Sequence, residues 1–304
     1  MHSLLCNMLV VNKVINKILL LKILKVAALF FACEVNAQAS TITYYVEEAA
    51  LQQYNTRILE MALEHADLQV PKLKSLDEKM TREQALTRMD SGDIDIMWLA
   101  TSQEFEERFI PVRVPMYKGL MSYRVLMIRQ GNEQKFDGIR TFTQFKELKA
   151  GVGRFWTTTK VFKAEDINSV LTTKVHNLYP MLEGGRFDYI PRGVMEITPE
   201  LKKHANLPLA LEPSLLLHLP TAVYPFVSKS NPKLAELIEE GMLKALDSGE
   251  FDAYFQTTNQ YLDTLKIISQ HKWKVIPINN SILPKETPLQ NEKLWVNFSE
   301  YLEY

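Results

Sequence analysis

The residues most able to bind a small molecule follow a short apolar segment in the first half of the chain. Residues 94–99 read IDIMWL, which is typical of a strand buried on both faces. Thr101 and Ser102 come next, and Arg108 follows them. In an open α/β sheet, ligands bind just beyond the carboxyl ends of the strands. The segment from Trp98 to Arg108 therefore lies where a ligand pocket is expected.

A second candidate segment begins near residue 151. Residues 151–155 read GVGRF, which indicates a strand, and Trp156, Thr157 and Thr158 follow it. Threonines at a helix start can accept hydrogen bonds from free amides, and those amides attract an anion. We therefore predict that the threonines cap a helix or bind a ligand, two roles that are compatible. The GVG segment lacks the third glycine of a dinucleotide-binding fingerprint.

The sequence contains no pattern typical of catalysis. It has no Gly-x-Ser-x-Gly, no His-Glu-x-x-His and no P-loop. Four of its histidines are scattered without metal-ligand spacing: His176, His204, His218 and His271. Three neighbouring carboxylates are interpreted as a solvated face: Glu104, Glu106 and Glu107. We therefore predict a protein that is not an enzyme and holds no cofactor or metal.

The elements that position these residues occur in a repeated order. Residues 85–99 combine an amphipathic helix, a glycine stop at Gly92, an aspartate and a strand. Residues 182–190, LEGGRFDYI, repeat this order. A third copy, residues 246–252, is followed by a helical pattern instead. Two copies that each lead into a strand predict two α/β lobes of similar construction.

This order of segments resembles the type II periplasmic solute-binding proteins, and most closely family 3, the polar amino-acid binders. The resemblance rests on SGDIDIMWLATSQEFEER, the apolar strand after it, GVGRFWTT and EGGRFDYIPRG. The segment VSKSNPKLAELIEEGMLKALDSGEFD is similar to the closing helices of that family. The resemblance implies an α/β clamshell in which each lobe is a mixed β-sheet flanked by helices.

The lobes are expected to be formed by three segments of chain. Residues 38–129 and 222–304 are assigned to lobe 1, and residues 130–221 to lobe 2. No Gly/Ser-rich linker is present, so strand-like crossings should join the lobes. The segment from Trp273 to Trp295 is expected to pack across the back of lobe 1.

In this fold each lobe should contribute half of a ligand pocket. Arg108 is expected to bind a carboxylate, and Tyr45 or its neighbour Tyr44 to replace the ring-stacking residue of the family. The other expected hydrogen-bonding and apolar contacts are Thr101, Ser102, Thr157, Thr158, Trp98 and Trp156. The alternative for Arg108 is a surface arginine paired with Glu104 or Glu107.

The chain departs from the family after residue 190. Relatives that bind α-amino acids usually carry an aspartate there for the substrate ammonium, whereas this chain has Arg192. If Arg192 faces the cleft, the solute should carry more negative charge than a neutral zwitterion, because a buried ammonium lacks a partner. The alternatives are a turn with Arg192 in solvent, or Glu196 in place of the aspartate.

The first 37 residues form a candidate signal peptide. Lysines precede an apolar run at residues 26–32, and small residues allow cleavage after Ala37 or Ala39. A retained membrane helix is disfavoured because each lysine would cost about 2.5–3.5 kcal/mol near the bilayer centre. Cleavage would remove Cys6 and Cys33, which suits an oxidising periplasm. A lipoprotein anchored through Cys33 is the alternative.

Charge and motifs together favour a binding protein. The chain has 35 Lys and Arg against 36 Asp and Glu, with no basic stripe, so nucleic-acid binding has no electrostatic support. We predict a monomeric periplasmic solute-binding protein that captures a small anionic or amino-acid-like solute and delivers it to the permease of an ABC transporter. The alternative is a periplasmic ligand-sensing module that regulates a membrane signalling protein.

Overall fold

The structure is a computed structural model that describes residues 41–47, 49–66 and 72–304. The expected signal peptide, with its cysteines and cleavage sites, lies outside these residues. The described part of the chain contains two mixed β-sheets flanked by helices. This architecture confirms the α/β class expected from the sequence.

The elements of the described residues are numbered in chain order. The strands are β1 (Thr41–Tyr45), β2 (Lys72–Ser75), β3 (Ile96–Ala100), β4 (Ile110–Pro111), β5 (Tyr123–Arg129), β6 (Ala150–Gly153), β7 (Ser169–Thr172), β8 (Tyr189–Gly193), β9 (Leu209–His218), β10 (Val223–Val227), β11 (Trp273–Pro277) and β12 (Leu302–Glu303). The α-helices are α1 (Gln52–His65), α2 (Arg82–Asp90), α3 (Gln103–Arg108), α4 (Phe142–Phe145), α5 (Thr157–Ala164), α6 (Leu178–Glu183), α7 (Val194–Lys203), α8 (Pro232–Asp247), α9 (Glu250–Gln256) and α10 (Asn259–Ser269).

The first sheet has the order β2-β1-β3-β10-β4. Strand β1 is parallel to β2 and β3, whereas β10 is antiparallel to β3 and β4. The chain returns beside the end of β3, because Val223 pairs with Ala100. The carboxyl ends of β1 and β3 therefore share one edge, which opens onto the start of α3.

The second sheet has the order β12-β11-β9-β5-β8-β6-β7. Strands β6, β7 and β8 are parallel, and β5 runs antiparallel between β8 and β9. Strand β5 begins where β8 ends, because Arg124 pairs with Gly193. The carboxyl edge of this sheet therefore contains the end of β6, the end of β8 and the first residues of β5.

The strand pairing differs from the partition into lobes drawn from the sequence. Strand β5, which was assigned to lobe 1, hydrogen-bonds within the second sheet. Strand β11, which was expected at the back of lobe 1, instead pairs in parallel with β9 and β12. An apolar run indicates a strand but does not specify its neighbours, which long-range packing selects. The lobe boundaries themselves stay a prediction.

Local signals in the sequence set several helix ends. Thr81 and Gln84, whose spacing in the sequence is that of a capping box, form one at the start of α2, with backbone N to side-chain oxygen distances of 2.9 and 3.2 Å. The predicted left-handed glycine stop after α2 is confirmed by a φ of 81° at Gly92. The two repeats of that phrase also contain glycines of positive φ, Gly185 and Gly249. Each copy of the repeated segment therefore ends a helix at a glycine in the left-handed conformation.

Two further features bear on what the fold can do. The largest buried cluster contains residues of both sheets, including Ile96 of β3 and Val125 of β5, so apolar packing is continuous between them. Among the described helices, none combines the length and apolar character that a membrane crossing requires.

Candidate functional site

Thr101 and Ser102 lie directly beyond β3 at the edge of the first sheet, as expected. Both are buried, and both hydroxyls already have partners within the chain. The Thr101 hydroxyl donates to Glu106 at 2.7 Å, and Ser102 caps α3 by accepting from the Phe105 N–H at 3.3 Å. A hydroxyl is one donor and an acceptor, so Thr101 can still accept and Ser102 can still donate a hydrogen bond.

Arg108 lies at the end of α3 and is paired with Asp90 at the end of α2. Its Nε donates to both Asp90 oxygens at 2.8 and 3.0 Å, and its Nη2 donates to Asp90 Oδ2. These bonds hold the pKa of Asp90 below its usual value. The guanidinium also lies 5.0 Å from the centre of the Phe109 ring. This geometry favours the surface ion pair, with Asp90 as partner in place of Glu104 or Glu107, and the ligand role stays a prediction.

The aromatic residues of the first sheet differ in their accessibility to a solute. Tyr45 is buried, and its hydroxyl donates to the Met80 carbonyl at 3.4 Å. Trp98 is half-buried and meets Tyr44 edge-to-face with ring centres 5.7 Å apart. The Trp98 Nε1 is buried and has no hydrogen-bond partner among the described residues. Trp98 therefore retains a free donor near the carboxyl edge.

Glu106 was interpreted as part of a solvated face, and that interpretation is wrong. Its side chain is 9% exposed and is paired with Arg113 as well as with Thr101. The error arises because Glu106 lies one turn after the cap, where its carboxylate reaches Thr101 and Arg113. Glu104, by contrast, is 62% exposed, as expected.

At the edge of the second sheet, α5 starts at Thr157 without a side-chain cap. Its N-cap residue is Trp156, and Thr159 uses its hydroxyl for the Gly153 carbonyl at 2.7 Å. A Cβ at Gly153 would lie 2.7 Å from the Trp156 indole, so glycine allows that ring to cover the end of β6. The hydroxyls of Thr157 and Thr158 make no hydrogen bond to any described residue. The predicted capping role is therefore absent in this part of the chain, and the ligand role stays a prediction.

Arg192 is the penultimate residue of β8, and it is buried instead of lying in a solvent-exposed turn. Its Nη2 donates to Glu200 and lies 3.2 Å from Glu196, while its guanidinium covers the Trp156 ring at 4.7 Å. Burial lowers the pKa of Arg192, but the two carboxylates outweigh burial and raise that pKa above its ordinary value. Burial raises the pKa of Glu200. Arg192 is therefore a cation that two carboxylates of α7 already neutralise.

Arg124 is a candidate residue that the sequence analysis missed. It lies on β5 opposite Gly193, is 6% exposed, and has a buried Nε without a partner among the described residues. Burial lowers its pKa to about 10, against a raising effect of Glu196, so it remains a cation at neutral pH. The only signal in the sequence is a charged residue that precedes the apolar residues 125–128 of the strand.

Two contacts link the edges of the two sheets. Lys160 in the first turns of α5 pairs with Glu104 in α3 at 2.6 Å. Arg82 at the start of α2 donates to the Phe155 carbonyl at 3.4 Å. These contacts bring the segment after β3 and the start of α5 together. Residues 41–47, 49–66 and 72–304 contain no group of three His, Cys, Asp or Glu that could hold a metal.

Comparison with known proteins identifies the fold. No family model and no curated protein sequence matches the chain. An amino acid ABC transporter substrate-binding protein of Streptococcus pneumoniae, bound to L-arginine, matches with a TM-score of 0.53 at 15% identity, over 74% of this chain and 96% of that one. A Salmonella typhimurium periplasmic binding protein of high arginine specificity gives a TM-score of 0.51 at 16% identity, over 72% and 98% of the two chains.

A third solved structure is a histidine kinase sensor domain with similarity to periplasmic binding proteins. It matches with a TM-score of 0.52 at 12% identity, over 72% of this chain and 95% of that one. At these identities the likeness concerns the fold alone. The described part of the chain therefore has the two-lobed α/β fold of the type II periplasmic binding proteins, which confirms the expected fold.

Proposed function

We propose that this chain, which has the fold of the type II periplasmic binding proteins, is a periplasmic solute-binding protein. It captures a small anionic or amino-acid-like solute between its two sheets and delivers it to the permease of an ABC transporter. The observation that carries this proposal is the meeting of α3 and α5, which sets the carboxyl edges of both sheets against one another. Ligands of open α/β sheets bind at such edges.

The solute stabilises the closed arrangement because its contacts with both edges exist together only there. Thr157 and Thr158 supply hydrogen bonds from the second sheet, and Trp156 supplies an apolar wall. On the first sheet, Trp98 offers its indole N–H, and Thr101 and Ser102 complete the polar contacts. Arg108 binds the solute carboxylate only if its hydrogen bonds to Asp90 break. Tyr45 contacts the solute only if its hydrogen bond to the Met80 carbonyl breaks.

Arg124, a buried cation without a bonded partner among the described residues, favours an anion over the cation bound by the two arginine-binding neighbours. Arg192 lies where the resemblance to the family predicts an aspartate. The two carboxylates near Arg192 are already paired with its guanidinium. Burying an ammonium or guanidinium beside it without an acidic partner would be costly. In this proposal the chain is secreted through a cleaved signal peptide, acts as a monomer and performs no catalysis.

A thermal-shift screen of small metabolites tests this function. A solute present at 100 times its Kd should add about 2.7 kcal/mol to the free energy of unfolding. We expect small carboxylates to raise the melting temperature of the purified protein, and the best of them to bind with one-to-one stoichiometry by calorimetry. Absence of a shift with every amino acid, carboxylate, sugar and small peptide tested would contradict the proposal.

The second candidate function is a ligand-sensing module for a membrane signalling protein. The likeness to a histidine kinase sensor domain supports it. Both functions present the closed form to a membrane partner, so solute binding does not separate them. Genes for a permease and an ATPase beside this gene would favour uptake, whereas an adjacent gene for a membrane sensor would favour signalling.

A further inference from the structure

Arg124 is a buried cation for which the surrounding protein provides no hydrogen-bonded counter-ion. No hydrogen bond or ion pair within 4 Å connects it to any residue in the described part of the chain, and its Nε is closed off from solvent. A buried charge is normally paired, because removing it from water is expensive. An arginine kept in this state is therefore a candidate for a ligand contact.

Glu196, the carboxylate whose charge acts on Arg124, is bonded to other groups. Glu196 Oε2 accepts the Gly193 N–H at 2.7 Å, and Glu196 Oε1 lies 3.2 Å from Arg192. Arg192 in turn donates to Glu200. Glu196 therefore contributes a favourable field at Arg124 without a direct bond, and the five N–H donors of the Arg124 guanidinium remain for another acceptor.

The position of Arg124 in the second sheet places it near the start of α5. By the alternation of side chains along β5, Arg124 shares a face with Leu126 and Ile128. Those two residues belong to the same buried cluster as Val161 and Phe162 of α5. Arg124 and α5 therefore cover the same face of the sheet, and both Arg124 and the first residue of α5 lie at its carboxyl edge.

The distance between Arg124 on β5 and the start of α5 suits a small carboxylate. Strand β8 lies between β5 and β6, so β5 and the end of β6 are about 10 Å apart at the usual strand spacing. The extended Arg124 side chain and one carboxylate group together span such a gap. On its far side the carboxylate would meet the uncapped N–H groups of α5 and the free hydroxyls of Thr157 and Thr158.

We propose that Arg124 is the residue that anchors the solute, by binding a carboxylate held between its guanidinium and the start of α5. This inference rests on the proposed solute-binding function and names its substrate class, small solutes with more carboxylates than cationic groups. The Arg124 guanidinium donates hydrogen bonds to one side of the carboxylate, and Thr157 and Thr158 donate from the other side. Arg192 keeps Trp156 in place and is neutralised by Glu196 and Glu200.

Calorimetric titration of L-glutamate, succinate, L-arginine and L-histidine into the full chain and three variants tests this inference. Arg124→Met removes the charge while keeping the length of the side chain, and Arg124→Lys keeps the charge without the fork. Arg129→Met is the matched control, because Arg129 is the exposed last residue of the same strand. The melting temperature of each ligand-free protein is measured in parallel.

We expect the wild type to bind L-glutamate or succinate, and Arg124→Met to lower that affinity roughly tenfold or more. Arg124→Lys should give an intermediate loss, and Arg129→Met should bind as the wild type does. Ligand-free Arg124→Met should melt at or above the wild-type temperature, because an unpaired buried charge has been removed.

Three outcomes would overturn the inference. Wild-type affinity for the anions in Arg124→Met would remove Arg124 from the site. A lower melting temperature of Arg124→Met with unchanged affinity would make Arg124 a structural partner of Glu196. Binding of only L-arginine or L-histidine by the wild type would overturn the preference for anionic solutes, and the same affinity in Arg124→Met would show that Arg124 does not bind their α-carboxylates, while leaving the solute-binding function intact. A wild type that binds none of these solutes and no other metabolite would instead contradict the proposed function itself.

Discussion

At the scale of single residues, three arginines near the two sheet edges illustrate three different electrostatic states. Arg108 is partly exposed and bonded to Asp90, so its pair should contribute only about 0–1 kcal/mol to stability. Arg192 is buried and neutralised by two carboxylates. Arg124 is buried without a bonded partner among the described residues. Only the last state leaves a cation whose missing partner a solute can supply.

The variant Arg108→Ala separates the two roles predicted for Arg108. Because Asp90 already accepts from its Nε and Nη2, we expect the affinity for the solute to stay within about threefold and the stability to fall by about 1 kcal/mol at most. Calorimetry and urea denaturation measure the two quantities. Arg88→Ala, which removes another exposed pair of α2, is the control. An affinity loss of roughly tenfold or more would restore the carboxylate-binding role.

Stability should depend on pH through His218. Burial lowers the pKa of this residue, whose ring stacks on Tyr123 with centres 5.2 Å apart. The folded pKa therefore lies below the unfolded value of about 6.5, so the unfolded state binds more protons between the two. The free energy of unfolding should fall as the pH drops below about 6.5 and should be insensitive to this group above about pH 7.5.

Urea denaturation at pH 7.5 and pH 5.5, on the wild type and on His218→Phe, measures this effect. The wild type should lose more stability between the two pH values than the variant does. His204, whose pKa burial also lowers, is present in both proteins and cancels from the difference. Equal losses in the two proteins would show that His218 is not a source of the acid sensitivity.

At the scale of elements, close helix packing and helix ends position the two carboxyl edges. Helices α1 and α8 pack so tightly that a Cβ at Gly241 would lie 1.8 Å from the Ala62 carbonyl oxygen. Each repeated phrase ends a helix at a left-handed glycine, and the chain turns there towards the next element. Short helices that start at the sheet edges, α3 and α5, then carry the candidate polar residues.

The variant Gly241→Ala should destabilise the protein by roughly 1–3 kcal/mol, because the added methyl group forces α1 and α8 apart. In an exposed helix the same change stabilises by about 1 kcal/mol, so the sign of the effect is diagnostic. Thermal or urea denaturation measures it. The neighbouring exposed residue provides the control, since Glu240→Ala should change stability by less than about 0.5 kcal/mol. A more stable Gly241→Ala variant would contradict the close approach.

At the scale of the whole molecule, two contacts join the edges of the two sheets. The Lys160–Glu104 pair and the Arg82–Phe155 hydrogen bond lie at the edges that face each other. Both side chains of the ion pair are about half exposed, at 49% and 62%, so the pair adjusts the balance of the closed form without dominating it. In the proposed function, solute contacts supply the larger share of the closure energy.

Reversing the charge of one member of this pair should weaken solute binding modestly, and reversing both charges should restore it. Lys160→Glu or Glu104→Lys alone should weaken binding by up to about fivefold, because like charges then oppose closure. The double variant should regain affinity close to that of the wild type, since it restores opposite charges. Calorimetry at low and high salt measures this, and the single-variant effects should shrink as salt screens them. Equal affinities in all four proteins would mean that this pair does not affect closure.

Much of the local structure follows from the sequence alone. The capping box at Thr81, the proline start of α8 at Pro232 and the glycine stop at Gly92 depend on atoms within one or two turns of chain. The apolar strands and the α/β class follow in the same way from hydrophobic periodicity. The order of these segments was sufficient to predict the fold, because each segment's local preference agrees with the global arrangement.

Tertiary structure alone decided the pairing of strands and charges. Strand β11 joins the second sheet beside β9, a choice that no local pattern in either strand specifies. Arg108 pairs with Asp90, which is distant in sequence, and Glu106 is buried against Arg113 although its neighbour Glu104 is exposed. Arg124 is left without a bonded partner in the described structure. The physical reason is common to all of them: Coulomb and packing energies depend on which surfaces meet in three dimensions, whereas the sequence specifies only the groups that each surface carries.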